Sequence, residues 1–128
     1  MNCRKSNEEE LVKLKIKNEE LKMEDGMSKE NIIQNKSYDF ALRIIKLNQM
    51  MVNDQKEYVL SKQILKSGTS VGANVEEAIG GQSRKDFRAK IFIAYKEARE
   101  THYWLRLLRD SSLISKKLAN SLLKSAKN

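Results

Sequence analysis

The sequence predicts an all-α fold, an antiparallel up-down four-helix bundle with an N-terminal extension. Three observations carry that reading. The 128 residues include no proline and only five glycines, so the usual breakers of long helices are scarce and a turn-dense sheet fold is disfavoured. Beyond residue 30, apolar side chains recur at spacings of three and four, the period of a helix with one buried face. Cap and turn signals fall between these stretches, as short antiparallel connections require. A chain of this length forms one domain and buries about two thirds of its unfolded surface.

Residues 1–29 are rich in Lys and Glu; Leu11, Leu14 and Leu21 fall in weak helical register, and VKLKIK alternates like a strand. They read as a flexible or marginally helical charged extension, set apart from the bundle domain of residues 30–128. Met27, directly after Gly26, would make a sensible start of its own, a hypothesis that the intact mass of the natively expressed protein decides. Helix 1 is expected from about residue 30 to 52, with Ile33, Phe40, Ala41, Ile44, Ile45, Leu47 and Met51 as its apolar face and Asn53-Asp54 as the turn that follows. Helix 2 is expected from Glu57 to Ile79, with Leu60, Ile64, Ser67, Val71, Asn74 and Ala78 alternating by four and three.

Within helix 2, Ser67, Gly68, Thr69, Ser70, Gly72 and Ala73 are all small. A helix-interior glycine costs about 1 kcal/mol relative to alanine, and close approach of a neighbouring helix is the compensation expected here. A phosphate-cradling loop is disfavoured, because the required lysine and the strand context are missing. Asn74 is expected to satisfy Ser67 or Thr101 in the core. Gly80-Gly81 ends the helix, and Ser83 with Asp86 three positions on caps helix 3, which runs to about Arg109. Phe87, Ile91, Ala94, Ala98, Thr101, Leu105 and Leu108 keep four-three spacing throughout it. Ser112 or Ser115 caps a short helix 4, whose inward face is Leu118, Leu122, Leu123 and Ala126.

The formal net charge is +8 and is unevenly placed: residues 1–30 hold seven Lys and Arg against eight Asp and Glu, and the remainder eighteen against nine. That excess favours polyanions, nucleic acid first. No stretch approaches a membrane span, and the polar start lacks the apolar core of a signal peptide. The single cysteine, Cys3, forms no intrachain disulfide and has no nearby histidine to activate it as a nucleophile. A cytoplasmic location fits.

Two surfaces of helix 3 are candidates for function. Lys85, Arg88, Lys96, Arg99 and Arg106 share one face with Phe92 and Tyr103: cations neutralise phosphates, and exposed rings stack on unpaired bases. The competing reading is a solvated charge stripe whose rings pack against helix 1 or 2. Ile93, Trp104 and Leu107 project well away from the buried seam, so a second apolar contact is expected there, made by helix 4 and the tail or by another copy of the chain. The homo-oligomer is the preferred expectation.

Catalytic and metal readings are weak. Glu76, Glu77, Glu97 and Glu100 suggest carboxylate pairs, but a di-metal bundle needs Glu-x-x-His on two helices, and the single histidine, His102, has no glutamate three positions before it. Glu76 is expected to bond a helix terminus or a basic partner. A helical RNase would pair an arginine with a histidine four to six positions further on; Arg99 stands too close to His102, and Lys96 has the spacing but the wrong chemistry. No catalytic residue, metal ligand or cofactor site is assigned.

YDFALRIIKLNQ in helix 1, SGTSVGANVEEA in helix 2 and DFRAKIFIAYKEARETHYWLRLL in helix 3 together resemble the four-helix-bundle family encoded in intervening sequences of large-subunit ribosomal RNA genes. The resemblance runs from about Tyr38 to Leu123. It implies a four-helix bundle assembled into a ring-like pentamer. The accessory proteins of diversity-generating retroelements are similar in fold, and they engage a reverse transcriptase and nucleic acid through a basic pentameric barrel. The resulting expectation is a non-catalytic, oligomeric protein that binds RNA or DNA, RNA foremost. The alternative is an interaction module for a polymerase or ribosomal component, and a third class is a metal-independent RNase.

Overall fold

The computed structural model describes residues 29–126, which fold into four α-helices with no strand among them: α1 (Lys29–Gln55), α2 (Val59–Ile79), α3 (Arg84–Asp110) and α4 (Lys116–Ala126). Apart from Lys29, which opens α1, the charged extension lies outside the described residues. Connections of three to five residues force successive helices to run antiparallel. The order around the bundle is α1, α2, α3, α4, with α2 packed between α1 and α3, and α4 bridging α3 to α1.

α1 continues through Asn53 and Asp54, contrary to the turn expected there. The chain reverses after Gln55, where Lys56 adopts a left-handed backbone with φ 57° and the Glu57 N–H donates to the Met51 carbonyl at 3.0 Å. Glu57 then caps α2 from outside it, its carboxylate accepting from the N–H groups of Leu60 and Ser61 at 3.1 and 2.9 Å. Those bonds satisfy two of the donors that a helix start leaves orphaned. Gly80 and Gly81 close α2, and the Ser83 hydroxyl accepts from the Asp86 N–H at 3.0 Å, as expected for the cap of α3.

Of the two serines offered as caps for α4, Ser115 is the one used, accepting from the Leu118 N–H at 3.1 Å. Ser112 instead ends α3. It sits at φ 65°; its N–H donates to the Arg109 carbonyl at 3.1 Å and the Leu113 N–H to the Leu108 carbonyl at 3.0 Å. This paired pattern is the Schellman helix ending, usually built on glycine.

The core is formed by Phe40, Ile44, Leu47 and Met51 of α1, Ile64 of α2, Leu105 and Leu108 of α3, Ile114, and Ala119, Leu122 and Leu123 of α4. All of it lies at the end of the bundle that α4 covers. With 11 residues, α4 is about 16 Å long, whereas the 27 residues of α3 extend for about 40 Å. The expected seam of α3 therefore buries unevenly. Thr101, Leu105 and Leu108 are fully covered and Ala94 nearly so, but Phe87, Ile91 and Ala98 are only half-buried.

Two expected faces shift. On α1, Ile33 and Ile45 are exposed, and Ile32 and Ser37 are buried with Phe40, Ile44, Leu47 and Met51. On α2, Val71 and Asn74 are half-buried, while Ser61, Gly68, Gly72 and Val75 join Ile64, Ser67 and Ala78 inside. The physical reason is that α2 packs on two neighbours at once. A Cβ on Gly68 would stand 2.9 Å from both γ-carbons of Ile44, and one on Gly72 would stand 3.4 Å from the Ser37 carbonyl oxygen, both on α1. Toward α3, the buried Ser67 hydroxyl pairs with Thr101 at 2.8 Å, and Thr101 also bonds the Glu97 carbonyl. Asn74 is not needed in that pair, and its amide donates to the Ser70 carbonyl of its own helix.

The seam between α1 and α4 is partly polar. The Arg43 guanidinium donates to Ser125 at 2.9 Å and to Ser121 at 2.8 Å, and the Gln55 amide donates to the Leu113 carbonyl. The Arg43 bonds tie the short last helix to the first, and the Gln55 bond ties the connection before it.

Candidate nucleic-acid interface

The spacing of Lys85, Arg88, Phe92, Lys96, Arg99, Tyr103 and Arg106 confines them to a sector of α3 roughly 80° wide at 100° per residue. Their opposite numbers on the helix are Ala94, Thr101, Leu105 and Leu108, which are buried. Burial of one face thus turns the other directly to solvent, and all seven are exposed, Phe92 at 61% and Tyr103 at 47%. Both rings are thus surface side chains and not members of a buried seam.

The rings are instead organised by their own helix. Lys96 Nζ lies 5.5 Å from the Phe92 ring centre, and the Arg106 guanidinium lies 5.8 Å from that of Tyr103. Such cation–π contacts at exposed sites contribute about 0.5–1 kcal/mol. Tyr95, absent from the expected stripe, stacks on Phe92 with ring centres 6.5 Å apart and planes 23° apart. Its signal was the three-residue spacing from Phe92.

Nearby carboxylates are drawn into separate contacts. Glu77 pairs with Lys90 at 2.7 Å, and Glu100 accepts from the Trp104 indole N–H at 3.1 Å. The Arg109 side chain donates to Asp110 at 2.8 Å; that hydrogen bond holds the Asp110 carboxyl below the usual carboxylate range and raises the guanidinium. Among the described residues, Glu76 accepts from the neutral Gln34 amide, at 2.9 and 3.0 Å, and not from a helix terminus or a cation. Among the described residues, no three His, Cys, Asp or Glu side chains converge where a metal ion would bind. His102 is half-buried on α3. Cys3 lies outside the described residues.

The residues expected at an oligomer interface divide. Ile93 and Leu107 reach the surface. Trp104 lies half-buried against the core, edge-on to Tyr103 with ring centres 5.2 Å apart. A second apolar surface was missed: Tyr38, Leu42 and Ile45 are exposed on the outer side of α1, Tyr38 at 61%. Their four-three spacing is legible in the sequence once Ile45 is taken off the inner face. No helix among the described residues is long and apolar enough to cross a membrane.

A family model, 23S rRNA-intervening sequence protein, matches residues 29–128. The chain belongs to this family. A crystal structure of a protein of unknown function from the S23 ribosomal protein family of Bacteroides thetaiotaomicron is 49% identical. The similarity covers 77% of this chain and 88% of that one, with a TM-score of 0.75. Nothing matches among curated proteins. The family's helical fold agrees with the bundle described above, and the matched range includes both candidate surfaces.

Proposed function

We propose that this family member is a cytoplasmic, self-associating protein that binds nucleic acid, RNA foremost, and carries out no catalysis. The observation that carries the reading is the outer face of α3, where five cations and two rings stand together in solvent, opposite the core. Several phosphate contacts along one helix give affinity that falls steeply with salt. The matched family's link to ribosomal RNA sequences supports RNA as the polyanion. The non-catalytic reading is supported by Glu76, Glu77 and Glu100, which are engaged with Gln34, Lys90 and Trp104 respectively.

Self-association rests on apolar surfaces that a monomer leaves in water. Ile93 and Leu107 flank the basic stripe on α3, with Trp104 beside them, and Tyr38, Leu42 and Ile45 line α1. Two different patches on two helices suit a heterologous contact, which closes into a ring when its rotation allows. A pentamer is the ring proposed. The α1 patch also supports a second reading, docking of a protein such as a polymerase or ribosomal component.

Light scattering with and without a mixed-sequence RNA, across a salt series, tests the reading. The expected result is a pentamer mass that gains RNA at low salt and loses it as salt rises. A monomer indifferent to RNA refutes both claims and leaves protein docking as the function to pursue.

A further inference from the structure

Two aromatic rings of α3, Phe92 and Tyr103, stand in solvent within the basic stripe. Phe92 and Tyr103 are eleven positions apart, so they stand about 16 Å apart along the helix. Each has a cation within one turn: Lys96 over Phe92 at 5.5 Å and Arg106 over Tyr103 at 5.8 Å. Arg99 lies between the two pairs on the same stripe. The helix thus repeats a unit made of a flat apolar face and a positive charge. Tyr95, itself 56% exposed, stacks on Phe92, so the flat surface at that end is a pair of rings, and the cation contacts help hold the rings in place, which lowers the entropy lost when a ligand stacks on them.

A flat face needs a flat partner. In a duplex each base face is covered by the next base, so a helix that binds duplex gains from its charges and base-edge donors, not from rings. The deep, narrow major groove of A-form RNA excludes side chains. In the major groove of B-DNA, base edges are read mainly by Arg, Lys, Asn and Gln. An unpaired strand presents free base faces and phosphates together, and aromatic platforms set in a basic track are how such strands are held without sequence preference.

We infer that the outer face of α3 is a track for an unpaired strand of RNA or DNA, one base stacked on Phe92, another on Tyr103, with Lys96, Arg99 and Arg106 on the phosphates between and beside them. The inference rests on the nucleic-acid reading above and narrows it to a ligand class. RNA and DNA single strands share this chemistry.

Fluorescence anisotropy of the full chain at low salt tests it, with four labelled probes of equal length: a mixed-sequence RNA strand, the same sequence as DNA, and the two corresponding duplexes. Both single strands are expected to bind at least tenfold more tightly than either duplex. Removing each ring, in Phe92→Leu and Tyr103→Leu, is expected to weaken single-strand binding roughly tenfold, with duplex binding and the salt dependence unchanged because no charge is lost. Both side chains are exposed, so the variants keep the fold, and circular dichroism checks that. Trp104, the chain's single tryptophan, touches Tyr103 and gives a label-free readout: its emission changes with single strands and not with duplexes.

Duplexes that bind as tightly as single strands, or ring variants that bind single strands normally, overturn the track and leave the nucleic-acid reading standing. A parent chain that binds none of the four probes overturns that reading and the track with it. Either order between the RNA and DNA strands supports the track and identifies which of the two is its ligand.

Discussion

The two ends of this bundle are built from different materials. At the end covered by α4, four helices enclose Phe40, Ile44, Leu47, Met51, Ile64, Leu105, Leu108 and Leu122 in one continuous cluster. At the other end, beyond the reach of α4, three helices meet through Ile32, Val75, Ala78 and Ala94, buried side chains that lie outside that cluster. Large apolar groups face solvent at both ends, Tyr38, Phe92 and Tyr95 at this one and Val59 and Tyr103 at the enclosed one. Large buried side chains supply most of the hydrophobic free energy, about 25 cal/mol per Å² of apolar area removed from water. The enclosed end therefore supplies most of the support for the fold, while the basic stripe runs along the outer face of α3 past both ends.

The largest expected effect comes from breaking the enclosed end. Leu105 is completely buried among side chains from all four helices, and Leu105→Ala removes three carbons and leaves a cavity that rigid neighbours cannot fill. The expected loss is about 3–4 kcal/mol, a large part of the 5–15 kcal/mol that holds a typical domain together. Val75→Ala, at the open end, removes two carbons and is expected to cost about 1.5 kcal/mol. Urea denaturation of the two variants measures the contrast directly. Equal losses would show that the ends are equally supporting and that the comparison fails.

The two buried glycines of α2 sharpen the contrast on a finer scale. Alanine at either position gains about 1 kcal/mol of helix propensity. At Gly68 the new methyl would stand 2.9 Å from two carbons of Ile44, a side chain fully enclosed in the main cluster and unable to move aside. Overpacking of this kind costs about 1–3 kcal/mol, so Gly68→Ala is expected to destabilise by up to about 2 kcal/mol net. At Gly72 the nearest atom would be the Ser37 carbonyl oxygen at 3.4 Å, a tight contact that a small shift relieves. Gly72→Ala is expected to be neutral or slightly stabilising. Chemical denaturation checks the pair, and a stable Gly68→Ala would mean that α1 yields where the packing says it cannot.

These differences explain what could be read from the sequence. Ser83, Gly80 and Gly81 announced a helix boundary because capping is local chemistry, carried within four residues. The basic stripe was legible for a similar reason: on one regular helix with a clear inner seam, spacing alone says which residues share the opposite face. α1 was harder, since Tyr38, Leu42 and Ile45 form a second apolar stripe and periodicity does not say which stripe is buried. The tilt of the α2 seam from Val71 and Asn74 to Gly72 and Val75 depends on where α1 approaches most closely, which is a tertiary fact. So are the stacking of Tyr95 on Phe92 and the left-handed turn at Lys56, where the Asn53-Asp54 pair gave a false local signal.

A small expected effect strengthens the enclosed end without touching a side chain of the core. Ser112 occupies the left-handed position that ends α3, with φ 65°, and the hydrogen bonds on either side of it hold the chain in that shape. A residue with a Cβ is strained there by about 1–2 kcal/mol, and glycine is not. Glycine also gains freedom in the unfolded chain, which gives back part of the benefit. The balance predicts that Ser112→Gly stabilises by about 0.5–1 kcal/mol and raises the melting temperature by about 2–4 °C. Because Ser112 joins α3 to α4, amide exchange is expected to slow around Leu108 and Leu122 more than around Val75 or Ala94. Uniform slowing would mean that the ends open together, and that the short fourth helix protects the whole bundle through a single cooperative unit.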